Sequence, residues 1–525
     1  MTKVILKRWD GGVAQSQRPE TINEHSNNDD TFVGENGGFN VFADPFKLTK
    51  LPSPSVNETA SGASVTSGEC PVTDAVKRET DGKIIGVGAT SASGSTLFRF
   101  YRKGSSITGA WQQNSDTTSS IGAISGQGTG PYAVLYKSNF YGFVTNVASA
   151  VSRLYLYNSD SSHTLVGTIS DYSLDYKTVK PVYHSQDKYL YMAAGKTIAT
   201  LTGATSTTTF TASAFTTPFE ITSMCEYGTY LAVLMQSPEG GIIGLWDRSN
   251  STLFADTFKV DSGYAGIIEN IDGYLTTISQ TPYDPNTTSI PVTYSYAGTI
   301  NVRMYIGGTM KLIKKATLGN NELNSTQTLL NRKMLRDGRL YFSTNSNFLW
   351  SFGQNREGTY ILARDYQAVR TGRSVVSLYS FFSLGEYLFT CQRTSTGSPS
   401  DGLLQRTDSA YGSDPSYFTT PVNPSMPLEH RGKLKKLTKV YIKVVSLTSS
   451  GNVTVKYGYD SSSTLNEIIN ESITSTRPKF YEASAESGGT EFADTRDMFF
   501  QISTTGQVDV VELGYEYELV ETLSN

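Results

Sequence analysis

The chain repeats one short pattern seven times: a turn dipeptide followed at once by aromatic and aliphatic residues. The seven dipeptides are Asp81-Gly82, a degenerate copy at Ser138-Asn139, Asp187-Lys188, Tyr227-Gly228, Asp272-Gly273, Asp337-Gly338 and Leu384-Gly385. Successive copies lie about 40 to 65 residues apart. A period of this length in a chain rich in strand-forming residues is typical of the blades of a β-propeller.

Each repeat contains two segments of strand-forming residues, one directly after the turn and one beyond a loop. In the fourth repeat these segments are 230–234 and 242–246. Residues alternate along them as in a sheet with two different faces, and stacked sheets bury one face against the next. The sequence therefore predicts an all-β fold, a degenerate β-propeller of about seven blades over residues 71–425. An array of ordinary β-sandwiches with coincident turns is the alternative.

The two ends of the chain do not repeat. Residues 1–70 carry too few apolar side chains to build a core of their own, which predicts an extended N-terminal arm. The arm either crosses its own propeller or reaches a neighbouring subunit. Residues 428–525 alternate with period two in several segments and predict a C-terminal β-sandwich of jelly-roll type. The basic cluster Arg431, Lys433, Lys435, Lys436 and Lys439 at its start predicts a solvated hairpin or strand edge.

Composition narrows the functional classes. The net charge is −4, from 44 basic and 48 acidic residues, so no basic surface argues for tight nucleic-acid binding. No segment is long and apolar enough to predict a membrane span. Cys70, Cys225 and Cys391 lie far apart without C-x-x-C spacing, and we expect buried, inert thiols there.

Motifs for catalysis or cofactor binding are missing from the sequence. None of the four histidines, His25, His163, His184 and His430, has metal-ligand spacing, and His163 and His184 are expected at the surface. The acidic segment 25–38 does not match the calcium-loop spacing. The sequence therefore predicts no catalytic, no cofactor-binding and no metal-binding residue, and no cofactor.

A glycoside hydrolase is the enzyme class worth testing against this view, because it needs only two facing carboxylates. The candidates are Asp81, Asp187, Asp272 and Asp337, which occupy equivalent turn positions. That equivalence favours a turn role, since Asp before Gly suits a tight hairpin.

The layout resembles a group of tailed-bacteriophage tail proteins. The resemblance rests on the Trp9-Asp10-Gly11-Gly12 start, the segment Asn40-Val41-Phe42-Ala43-Asp44-Pro45-Phe46-Lys47-Leu48, the propeller and the terminal sandwich. It implies a structural, non-enzymatic component of the virion tail, located at the tail nozzle, the tail hub or the tail tip, and assembled in the host bacterial cytoplasm. Its partners would be copies of itself in a sixfold ring, other tail or portal-adaptor proteins, and DNA that is retained and ejected without specific contacts.

A receptor- or glycan-binding tail adhesin is the second hypothesis, with the insertion 281–296 as its candidate loop. The structural hypothesis and the binding or enzymatic ones differ at the hub, the space around the propeller axis. A purely structural wheel should have no pocket of converging ionisable groups there.

Overall fold

The structure is a computed structural model of the chain. It describes residues 1–6, 33–35, 39–40, 49–50, 54–58, 60–61, 72–92, 95–104, 106–114, 131–146, 150–171, 178–204, 207–249, 253–281, 298–318, 332–343, 348–367, 376–394, 403–407, 416–420, 422–424, 426–459, 465–484, 492 and 494–520. These residues form strands, turns and a short 3-10 helix at Leu428–His430.

The first 61 residues contribute short strands to the described structure. These are β1 (Thr2–Leu6), β2 (Val33–Glu35), β3 (Phe39–Asn40), β4 (Thr49–Lys50), β5 (Pro54–Asn57) and β6 (Ala60–Ser61). Strands β3 and β4 pair with each other, and the other four join sheets built by later parts of the chain. The described pieces of the arm therefore lie against their own chain.

Seven sheets follow, and each is a hydrogen-bonded antiparallel meander of consecutive strands. Blade 1 is β7 (Asp74–Lys77), β8 (Ile84–Ala92), β9 (Ser95–Lys103) and β10 (Trp111–Gln113); blade 2 is β11 (Tyr132–Tyr136), β12 (Asn139–Asn146), β13 (Val151–Ser159) and β14 (Ser162–Ile169); blade 3 is β15 (Val182–His184), β16 (Tyr189–Ala194), β17 (Thr197–Ala204) and β18 (Thr207–Thr216); blade 4 is β19 (Glu220–Tyr227), β20 (Tyr230–Ser237), β21 (Gly240–Trp246) and β22 (Asp256–Lys259). Blade 5 is β23 (Tyr264–Ile271), β24 (Tyr274–Thr281), β25 (Gly298–Ile306) and β26 (Thr309–Leu318); blade 6 is β27 (Lys333–Arg336), β28 (Arg339–Ser343), β29 (Phe348–Gln354) and β30 (Tyr360–Gln367); blade 7 is β31 (Val376–Leu384), β32 (Tyr387–Thr394) and β33 (Leu403–Thr407). The predicted all-β propeller of seven blades is confirmed.

The repeated dipeptide is the turn between the first and second strands of each blade. At Asp272-Gly273 and Asp337-Gly338 all four residues have positive φ, from 51° to 85°. Two consecutive positive φ values define the tight hairpin that matches the twist of the flanking strands. The sequence repeat therefore marks one structural position, seven times around the axis.

Apolar side chains fill each seam between neighbouring blades. One buried cluster joins Phe98 and Val87 of blade 1 to Val144 and Tyr155 of blade 2, and corresponding clusters occupy the other six seams. Phe98 and Tyr155 stack with ring centroids 5.0 Å apart. Blades thus bury their faces against one another, as the alternating pattern predicts.

The ring closes through the N-terminal arm. Strand β5 pairs antiparallel with β33 and supplies the fourth strand of blade 7, while β6 pairs in parallel with β10 of blade 1. A segment that precedes blade 1 thereby completes the last blade. The seam between the first and last blades is held by main-chain hydrogen bonds rather than by side-chain packing alone.

The C-terminal region forms an eight-stranded sheet. Its strands are β34 (Ser416–Thr419), β35 (Lys435–Tyr459), β36 (Asn466–Ser472), β37 (Lys479–Ser484), β38 (Asp494–Thr495) and β39 (Met498–Leu519), with β1 and β2 added from the arm. The pairing of β35 with β39 is interrupted between Ser446 and Gly451, and residues from both sides of this interruption share one core. The predicted β-sandwich stays a prediction.

Two predictions about individual residues are wrong. Lys435 is not at a solvated edge: strands flank β35 on both sides there, and its buried ammonium donates to the carbonyls of Lys433 and Arg496. Cys391 is disulfide-bonded rather than an inert thiol, whereas Cys225 is free and buried. Cys70 lies outside the described residues.

A membrane-spanning helix is not found in the portion of the chain that the structure describes.

Candidate functional site at the propeller hub

Charged side chains gather at the hub from four blades. Asp74 begins the first strand of blade 1, Lys180 precedes that of blade 3, and Glu269 lies in that of blade 5. Arg332 and Lys333 stand at the start of blade 6. The expectation of a hub without converging ionisable groups is therefore wrong.

Arg332 reaches from blade 6 to the opposite side of the hub. Its guanidinium carbon lies 4.2 Å from the centre of the Tyr132 ring in blade 2. It donates to the Pro131 carbonyl at 3.4 Å and lies 3.9 Å from the Asp74 carboxylate. The side chain crosses the hub and is only 2% exposed, so it fills the space between these blades.

Asp74 anchors that arrangement. Its carboxylate accepts the backbone N–H groups of Ala75 and Ala133, each at 3.0 Å. Burial raises the pKa of Asp74 above its usual range, while the Arg332 charge opposes the rise. Burial also raises the pKa of Tyr132 to about 12. The phenol is therefore neutral at physiological pH, and a neutral ring face suits the guanidinium above it.

Lys333 forms a second internally satisfied group. Its ammonium donates to the carbonyls of Met224 at 2.7 Å and Ile268 at 2.5 Å, and lies 2.9 Å from the Glu269 carboxylate. All three ammonium protons thus have partners. The other oxygen of the Glu269 carboxylate accepts the Asn270 N–H at 3.1 Å. This pair joins blades 4, 5 and 6 and has little capacity left for a ligand.

A cavity of about 680 Å³ opens beside this pair. Blades 3 to 6 line it, through Lys180, Tyr183, Cys225, Glu226, Glu269, Asn270, Lys333, Leu335 and their neighbours. Tyr183 and Leu335 are 45% and 48% exposed. Pockets of this size usually accommodate small molecules.

Two polar groups of the cavity lack partners among the described residues. Lys180 makes neither a hydrogen bond nor an ion pair there, and burial lowers its pKa below the usual lysine value although the charges of Asp74 and Glu269 oppose that shift. The Asn270 Oδ1 atom is buried without a hydrogen-bond donor. Unsatisfied buried polar atoms are uncommon in folded proteins. The cavity therefore has unused hydrogen-bonding capacity of both kinds, donor and acceptor.

A hydrogen-bond network borders the cavity. His184 is fully buried, and its Nδ1 lies 2.9 Å from an Arg248 nitrogen, so the predicted surface position of this histidine is wrong. Arg248 also pairs with Asp187, which accepts the Tyr191 hydroxyl at 2.6 Å. Glu226 accepts hydrogen bonds from the backbone N–H and the hydroxyl of Ser185. These contacts join blades 3 and 4 and position the border of the cavity.

The four candidate hydrolase acids lie in four different blades. Asp81 pairs with Arg78 in its own turn, and that hydrogen bond lowers its pKa to about 2. Asp337 is paired with Arg336 at 3.3 Å, and Asp187 with Arg248. Asp272 has the positive φ of a tight turn. Each acid thus has a local partner or turn role.

The cysteines, possible metal ligands and loops considered in the sequence analysis add few reactive or ligand-binding groups. Burial raises the pKa of the Cys225 thiol, so it stays protonated near neutral pH and is a poor nucleophile. Among the described residues, no three His, Cys, Asp or Glu side chains are grouped as metal ligands. Most of segment 25–38 and nearly all of insertion 281–296 lie outside the described residues.

The hub groups were not predicted, because the strands expected from the sequence all lie after the repeated turns. Asp74, Glu269 and Lys333 all lie shortly before a turn, in the first strand of a blade. One signal was present: Glu269 interrupts the largely apolar segment Tyr264–Ile271 that precedes the repeated dipeptide.

Comparison with known proteins gives no family. No family model matches the chain, and no curated protein does. A solved structure described as the outer coat vertex of COPII on membranes aligns at a TM-score of 0.39 and 8% identity, over 66% of this chain and 86% of that one. A second, of the COPII coat assembled on membranes, has the same TM-score and identity over 66% of this chain and 48% of that one. A TM-score of 0.39 supports no inference about function.

Proposed function

We propose that the chain is a structural subunit of a bacteriophage tail, one of six in a ring or nozzle that retains and ejects DNA. The observation that supports this proposal is the way the propeller is closed. Strand β5 completes blade 7, and the buried Glu58 beside it pairs with Lys103 of blade 1 and Arg406 of blade 7. A ring closed in this way resists opening when force is applied across its blades. The charged groups at the hub count against a purely structural role and motivate the second candidate function.

The hub limits where DNA passes in such an assembly. Arg332, Asp74 and Tyr132 meet across the hub, and the Lys333–Glu269 pair lies beside them. Because these side chains obstruct the propeller axis, DNA in the proposed assembly would pass between subunits. The DNA channel would then be lined by outer surfaces of the blades or by the C-terminal sheets.

Purified virions and the purified full chain test this role. We expect the chain in intact particles at a copy number that is a multiple of six, and ring-shaped oligomers in negative-stain images. Gold-labelled antibody against the chain should mark the tail. Absence of the chain from intact particles would refute the proposal.

A second candidate function is receptor binding by the hub face of the propeller. The observation that favours it is the cavity of about 680 Å³ with the unpartnered Asn270 Oδ1 and Lys180 groups. A scaffold needs no such cavity, and leaving polar groups unsatisfied there lowers stability. Binding of the full chain to host cells, measured with and without substitutions in the cavity, distinguishes the two roles.

A further inference from the structure

We infer that the hub cavity binds a sugar that carries a carboxylate, such as a uronic or nonulosonic acid. The inference rests on the receptor-binding candidate for this face and names its ligand class. It does not depend on a place in a tail.

The cavity holds four charged side chains, but only some of them can still bind. Lys333 and Glu269 satisfy each other and the neighbouring backbone. Glu226 uses one oxygen on the N–H and hydroxyl of Ser185. Lys180 alone brings a cation with no hydrogen bond or ion pair in the described part of the chain. Lys180 can therefore pair with a carboxylate, while Glu226 keeps its negative charge and favours hydroxyl donors on the same ligand.

The remaining groups favour a ligand with hydroxyls. Asn270 Oδ1 needs a donor, and the second oxygen of Glu226 can accept another. Both groups line the same cavity as Lys180. A simple carboxylate such as acetate would satisfy Lys180 but has no hydroxyl to donate to Asn270. A sugar acid presents a carboxylate and several hydroxyls from one rigid ring.

The size and the mouth of the cavity agree with this ligand class. A volume of about 680 Å³ accommodates one or two sugar rings rather than a long chain. Tyr183 lines the cavity and is 45% exposed, so a ring face or edge is open to solvent. An amphipathic aromatic ring of this kind packs against the apolar face of a sugar while its hydroxyl stays hydrated.

Isothermal titration of the full chain with glucuronate and with N-acetylneuraminate tests the ligand class. Glucose and N-acetylglucosamine serve as neutral controls, and acetate and inorganic phosphate as bare anions. We expect at least one sugar acid to bind, and the neutral sugars and bare anions to bind about 10- to 100-fold more weakly. Failure of both acids, or equal binding by a bare anion, would overturn the inference.

Substitutions in the cavity test whether the sugar acid binds there. Lys180→Met and Asn270→Leu should each weaken sugar-acid binding about 10- to 100-fold, while Lys180→Arg keeps the charge and restores part of it. Lys259→Met removes a lysine that is 71% exposed on blade 4 and should bind as the wild type does. Wild-type affinity in the Lys180→Met variant would place the ligand elsewhere and overturn the inference.

A glycan array probed with the same protein shows whether the ligand is part of a surface glycan or a free sugar acid. Binding to glycans with a terminal acidic sugar supports a surface receptor. Binding to the free acid without any array signal keeps the ligand class and refutes the receptor role. The two proposals therefore fail by different measurements.

Discussion

Gly142 shows how closely the blades approach each other. It lies in β12, where a Cβ atom would come within 2.4 Å of Phe98 and 3.1 Å of Val87 in the neighbouring blade. The Phe98 ring cannot move aside easily, because it stacks on Tyr155 and contacts Phe100 edge-on. A methyl group at position 142 would therefore force the seam between blades 1 and 2 apart.

We predict that Gly142→Ala lowers the free energy of unfolding by about 1–3 kcal/mol, the usual cost of overpacking a core. Gly104→Ala is the matched control, because a Cβ there meets nothing within 4 Å. Urea denaturation followed by tyrosine and tryptophan fluorescence measures both. Equal effects of the two substitutions would contradict the packing argument.

The positive charge of Lys180 lowers the stability of the folded state. The residue is half-buried, it forms no hydrogen bond or ion pair among the described residues, and burial lowers its pKa more than the charges of Asp74 and Glu269 raise it. A lowered lysine pKa means that the unfolded chain binds more protons than the folded one between the folded value and the usual 10.5. Stability contributed by this residue therefore rises with pH through that window.

Lys180→Met should stabilise the chain by about 1–2 kcal/mol near neutral pH, since replacing a buried charge by an apolar side chain removes its desolvation cost. The gain should shrink as pH rises toward 10.5, where the wild-type amine is already neutral. Thermal unfolding of both proteins across pH 6 to about 10 measures it. A loss of stability, or a gain independent of pH, would show that Lys180 has a stabilising partner.

At the scale of elements, the sequence predicted the middle of each blade and missed its edges. Segments 230–234 and 242–246 correspond to β20 and β21, and each repeat shows the same agreement for its second and third strands. The first strands precede the turn and were not predicted even where they are apolar, as in β11 (Tyr132–Tyr136). In blade 5, Glu269 also interrupts the apolar pattern of the first strand. The fourth strand of blade 7 could not be predicted at all, because it comes from β5, more than 300 residues away from β33.

The seam closed by β5 depends on a buried ion cluster. Glu58 is 4% exposed and pairs with both Lys103 and Arg406. The Lys103 ammonium also lies 4.5 Å from the centre of the Trp111 ring and 5.1 Å from that of Phe389. Removing the acid would leave two cations without their counter-ion between blades 1 and 7.

We predict that Glu58→Gln costs about 3–5 kcal/mol of unfolding free energy, the usual result of breaking a buried ion pair from one side. Glu239→Gln is the control, because Glu239 is 76% exposed and its pairing with Lys259 is solvated. That control should leave the unfolding midpoint unchanged. Hydrogen exchange should show faster opening of β5 and β33 in Glu58→Gln only. Protection unchanged in β5 would mean that main-chain bonds alone hold the seam.

At the scale of the whole molecule, both ends of the chain join one sheet. Strand β1 pairs with β39, and Val4 and Leu6 are buried in the C-terminal core. The same core contains Ile361 and Ala363 from β30, the outermost strand of blade 6. The C-terminal sheet therefore packs on one blade of the propeller through apolar contacts, and the N-terminal arm links the two a second time. Such a connection couples the propeller and the C-terminal sheet mechanically.

Ile361→Ala tests whether wheel and sheet unfold as one body. The substitution removes apolar contact between β30 and the C-terminal core, at a cost of about 2–5 kcal/mol, and should split a single calorimetric transition into two. Leu362→Ala is the matched control in the same strand, because Leu362 points into the core shared by blades 5 and 6. It should lower the transition temperature without splitting it. If Ile361→Ala also leaves one transition, the arm and β39 couple the two parts without help from blade 6. Force would then pass from the wheel to the sheet through the covalent chain, and the apolar contact would serve only to cover blade 6.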